Sequence, residues 1–156
     1  MLKPVLSVLI AAMAGPATAL SCLFPDPVRT FQAASAAPET YVILRGTLLE
    51  AEILIPPDRT RSYPVPVWFT GHSLTQSGFT RALEHEMTVQ VTCAGEWCGG
   101  VPPEIDTIFF AQVQDGAYVI EADPCNFWMF PPDPLTVEVL TSCLRGAACV
   151  PADQVD

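Results

Sequence analysis

Six cysteines follow an N-terminal stretch that reads as an export signal, and this pairing constrains the fold more than any other feature of the chain. Lys3 supplies a positive start, Val5 to Ala14 is apolar and uncharged, and Ala17-Thr18-Ala19 is a small-x-small cleavage site. Residues 1–21 are therefore expected to be a signal peptide, cut after Ala19 or after Ser21. The apolar run is too short to span a bilayer, which takes about 20 residues. Cys22, Cys93, Cys98, Cys125, Cys143 and Cys149 all lie beyond it. Exported thiols meet an oxidising compartment, so an even count predicts three intrachain disulfides and a periplasmic or secreted protein.

Six cysteines allow 15 pairings. Cys143 is expected to pair locally with Cys149, and that short ring to restrict the unfolded chain least. Cys22, at the mature N-terminus, is expected to tie that end to the Cys93/Cys98 region. Cys93 and Cys98 also have a spacing compatible with zinc, but metal needs reduced thiolates, which export opposes. A redox Cys-x-x-Cys beside a βαβ unit is missing.

About 135 residues remain after the signal, enough for one domain. With 7 Lys and Arg against 17 Asp and Glu, the formal net charge is -10. Nucleic acid is excluded as a partner, because its binding rests on cationic contacts to phosphate. An anionic membrane surface is disfavoured for the same reason. No second apolar segment is long enough to span a membrane, so the chain is not an integral membrane protein.

Prolines cluster at Pro25/Pro27, Pro56-Pro57, Pro64/Pro66, Pro102-Pro103 and Pro131-Pro132/Pro134, marking connections between short elements. Strands are predicted at Tyr41–Glu50, Val65–Gly71, Met87–Cys93, Ile105–Val113, Ala117–Glu121 and Thr136–Leu140. The cleanest alternation is Met87, Val89, Val91 and Cys93. Asp115-Gly116 suits a tight hairpin turn. Helix formers occupy Thr30–Ala37 and Thr80–Glu86. No internal repeat is evident. The pattern is that of a small all-β barrel or sandwich.

No catalytic set emerges. His72 and His85, with Glu84 and Glu86 beside the latter, are the only histidine-based candidates for a metal-dependent hydrolase. No Gly-x-Ser-x-Gly, His-Glu-x-x-His or phosphate loop is found. Neither a cofactor nor a resident metal is expected. Asn126-Phe127-Trp128-Met129-Phe130 is either a recognition surface or a plug over the open end of the barrel.

The order of these features resembles the netrin-like, or TIMP-like, variant of the OB-fold. The resemblance rests on Cys22 near the mature N-terminus, Val42-Ile43-Leu44-Arg45-Gly46, the strand Val65–Gly71, Val89–Gly99 with its cysteine-glycine end, and Ile105–Cys125. Cys93 is an extra cysteine, and the tail after Cys125 lacks the helical stretch such domains often carry. The resemblance implies an all-β, disulfide-stapled OB-like barrel with one or two short helices over residues 22–130, and a Pro/Cys-containing tail over 131–156. The disulfide framework, the OB-like strand order and the missing catalytic set together point to a non-enzymatic domain that binds another exported protein, with Cys22, Phe24, Phe127, Trp128 and Phe130 as the candidate surface. In the metalloprotease inhibitors of that superfamily, the amine and carbonyl of an N-terminal cysteine chelate the protease zinc, and only Cys22 matches that residue. Chelation requires cleavage after Ser21; lipidation of Cys22 is a third outcome, with Ala19-Leu20-Ser21 a poor lipobox.

Overall fold

The computed structural model describes residues 22–49, 61–147, 149–151 and 154. Residues 1–21, the expected signal peptide, Glu50 at the end of the first predicted strand and Pro56-Pro57 lie outside them.

Five strands close into a barrel: β1 (Thr40–Leu49), β2 (Tyr63–Thr75), β3 (Gly78–Val91), β6 (Thr107–Gln114) and β7 (Ala117–Ala122). Two short pieces, β4 (Cys93–Ala94) and β5 (Trp97–Cys98), form a separate hairpin, and β8 (Met129–Phe130) pairs with β6. The barrel order is β1-β2-β3-β7-β6, and the antiparallel β1–β6 ladder closes it. Within it β3 and β7 run parallel while the other pairs run antiparallel. This is the strand order of an OB-like barrel. The β6–β7 connection is the expected tight turn, with Asp115 and Gly116 both at positive φ.

Two apolar layers result. Leu44, Leu48, Val67, Phe69, Val89, Phe109 and Ile120 fill the barrel. A second layer lies outside it, where Ile108 and Phe110 of β6 meet Ala34, Phe130 and Leu140. Both faces of β6 are therefore covered, which is why it reads as a nearly unbroken apolar run rather than an alternation.

Two helices cover the second layer: α1 (Pro27–Ala36) and α2 (Pro134–Leu144). Each starts on an Asp-Pro pair. Asp26 accepts from the Val28 and Arg29 amides, and Asp133 accepts from Leu135 and Thr136. Proline supplies a preset φ at the first helical position.

Several expectations need correction. Thr136–Leu140 is helix, not strand: the Asp133 cap and the packing of Leu140 outweigh the β preference of Thr136, Val137 and Val139. The tail thus does carry a helix. Thr80–Glu86 is strand, not helix, because it ladders along β2 from Thr75↔Gly78 to Tyr63↔Val91, with one irregularity at Ser73/Leu74. Cys22 pairs with Cys125, not with the Cys93/Cys98 region. Cys93 pairs with Cys98 directly across β4–β5, and Cys143 with Cys149 as expected. No described cysteine is free.

Candidate functional site

The Cys22–Cys125 bridge organises one end of the molecule. Asp123 folds the turn that carries Cys125. Its carboxylate accepts from the Cys125 amide at 2.7 Å and the Phe127 amide at 3.3 Å. Asn126 sits at φ 51°, a left-handed conformation that asparagine tolerates. Oriented to satisfy its partners, the Asn126 amide nitrogen donates to the Gly100 and Asp123 carbonyls, both at 3.2 Å. The turn is thereby fastened to the loop leaving the β4–β5 hairpin. That hairpin is rooted in turn: Thr92 N–H donates to Ala122 O and Gly99 N–H to Thr92 O, each at 2.9 Å.

Large apolar side chains project from this frame. Leu23 is 92% and Phe24 98% exposed. Both lie in a segment with no helix or strand, held by the Cys22 bridge on one side and the Asp26 cap of α1 on the other. Trp97, 65% exposed, stands in the hairpin that Cys93–Cys98 closes. Beyond Asn126, an apolar groove of about 350 Å³ runs between Pro102, Ile105, Met129, Pro131 and Pro132. Glu104, beside it, is another non-glycine residue at positive φ, with its amide donating to Leu48 O. Backbone held in a sparsely populated region tends to mark a functional surface.

The sequence-derived candidates divide. Cys22 and Phe24 are exposed at this end, whereas Phe127 and Trp128 are half-buried and Phe130 is 4% exposed. The aromatic segment turns inward: Trp128 stacks on Tyr41 with centroids 5.0 Å apart, Phe130 packs edge-on to Phe110, and Thr30 Oγ1 donates to Phe127 O. It seals the layer between barrel and helices, and burial pushes the Tyr41 phenol above its ordinary pKa, opposed by a hydrogen bond from Gln112. Leu23 and Ile105 were not singled out from sequence. Nothing local distinguishes an exposed leucine or isoleucine from a buried one.

His72 and His85 do not converge. His72 pairs with Ala82 and His85 with Phe69, which puts the two rings on opposite faces of the β2–β3 ladder. Among the described residues no group of three His, Cys, Asp or Glu is placed to hold a metal. No described helix is long and apolar enough to cross a membrane.

Comparison with known proteins returns no matching family, no matching curated protein and no matching solved structure.

Proposed function

We propose that this chain is an exported, non-enzymatic domain that binds another exported protein through its disulfide-stapled end. The observation that carries this reading is the pair Leu23 and Phe24, almost fully exposed yet tied down on both sides. A segment held in place loses less conformational entropy on binding, so its apolar side chains act as preorganised anchors. Trp97 is of the residue type most often found at interface hot spots. The export assignment is supported by the signal-like residues 1–21 and by three disulfides, which persist in oxidising compartments.

The test is a photo-crosslinking residue at position 24, with position 115 in the β6–β7 turn as control. A discrete adduct at 24 alone, lost when Leu23 is changed to Ser, is the expected result. Equal labelling from both positions, or none from 24, overturns the reading.

The resemblance to the netrin-like group suggests a narrower form, a metalloprotease inhibitor. It is supported by the OB-like strand order and by the engagement of the Cys22 sulfur with Cys125, which leaves only its amine and carbonyl to chelate. Intact mass of the mature protein decides it, because retained Leu20 would block chelation.

A further inference from the structure

The outer face of the β2–β3 ladder carries a second arrangement, made of residues that the stapled end does not use. Trp68 stands directly opposite Glu86, so their side chains share a face. Trp68 is 42% exposed although it lies mid-strand. Leu49, the last described residue of β1, lies opposite it on the other side. Among the described residues, β2 before this point is paired only with β3, and Pro64 and Pro66 have no N–H to leave unpaired there. Pro66, Val67, Trp68 and Glu86 line a shallow depression of about 350 Å³. Glu84, two residues along the same face, is also exposed. No described residue hydrogen-bonds to or ion-pairs with the carboxylate of Glu84 or Glu86.

We propose that this face binds a basic side chain, an arginine, presented by a partner protein. A guanidinium is flat, weakly hydrated and always charged. It stacks on an indole face and pairs with a carboxylate through two parallel N–H donors. Trp68 supplies the indole, Glu86 supplies the carboxylate opposite it, and Pro66, on the same face, flanks the aliphatic stem. Glu84 adds a second negative charge on the approach. The net charge of -10 attracts a cationic partner from a distance. The inference stands independently of what the stapled end binds.

The test is a titration of isotopically labelled protein with Nα-acetyl-arginine amide, followed by NMR, with the neutral citrulline analogue in parallel. The expected result is a saturable shift of the Trp68 indole N–H and the Glu86 amide for arginine alone, weakened by salt. Glu86→Gln, nearly isosteric on an exposed strand, should bind about fivefold more weakly or worse. Trp68→Thr should do the same, and if it fails to fold the glutamine variant still decides. No saturable shift, an equal shift with citrulline, or undiminished binding in Glu86→Gln overturns the proposal.

Discussion

Gly46 and Gly71 face each other across the β1–β2 ladder with no room for a side chain on either. A Cβ on Gly46 would lie 2.2 Å from the Thr70 carbonyl oxygen; one on Gly71 would lie 2.1 Å from the Arg45 oxygen and 2.7 Å from the ring of Phe69, a fully buried core residue. Either Gly→Ala change must push two barrel strands apart, at an expected cost of about 2–3 kcal/mol. Gly100 has nothing within 4 Å of its added Cβ, so Gly100→Ala should stay within about 0.5 kcal/mol. Urea midpoints of the three variants check this.

The three bridges should contribute unequally. Cys22–Cys125 spans 103 residues, while Cys143–Cys149 spans 6 and Cys93–Cys98 spans 5. By loop entropy the long bridge contributes about 4.7 kcal/mol and each short one about 2 kcal/mol. The Cys93–Cys98 ring, one residue shorter, replaces Cys143–Cys149 as the least constraining. Paired Cys→Ser variants compared by melting temperature test the order. Thiol titration of the denatured, unreduced protein should find no reactive thiol.

Acid should loosen α2 first at its start. Hydrogen bonds from the Thr136 side chain and amide, and from the Leu135 amide, hold the Asp133 carboxyl below the ordinary value of 3.8. A depressed folded pKa means the stabilisation is fully present above the unfolded value and is lost as pH falls through the folded one. Stability should therefore decline below about pH 4 partly through this cap. Asp133→Asn, still a good cap, should flatten that part of the pH profile, and Asp133→Ala should lower stability at neutral pH. Thermal melts from pH 2 to 7 separate the three.

Phe24 and Phe130 should behave as opposites. Phe24→Ala is expected to change stability by less than about 0.5 kcal/mol, since the ring touches little. Phe130→Ala opens a void beside Phe110 and Ile108 and should cost about 3–5 kcal/mol. Denaturant unfolding of both variants measures the difference, and crosslinking from position 23 shows whether the Phe24 change affects partner capture.

Much of the barrel was readable because its strands are half-buried. Met87, Val89 and Val91 point inward and Thr88 and Gln90 do not, so period two survives in the sequence. Residues 80–86 misled because Ala82, Leu83 and Glu84 favour helix, and only pairing with β2 overrides them. The helices are legible at their caps rather than in their bodies: Asp26-Pro27 and Asp133-Pro134 mark both starts, whereas the helix formers from Thr30 begin three residues after the start of α1 and the β-branched residues of α2 mimic a strand. The Trp68–Glu86 pair was invisible beforehand, because 18 residues separate them and only the register of one ladder brings them face to face.

The bridge between Cys22 and Cys125 encloses the sequence of the whole barrel, from before β1 to beyond β7. A protease that cuts one peptide bond anywhere inside that span releases nothing. The two pieces stay joined through sulfur and stay laddered to each other across the sheet. Nicked protein should run intact on a gel without reductant and as two fragments with it. Where proteases are present, a single cleavage inside that span is then a scar that the molecule carries rather than its end.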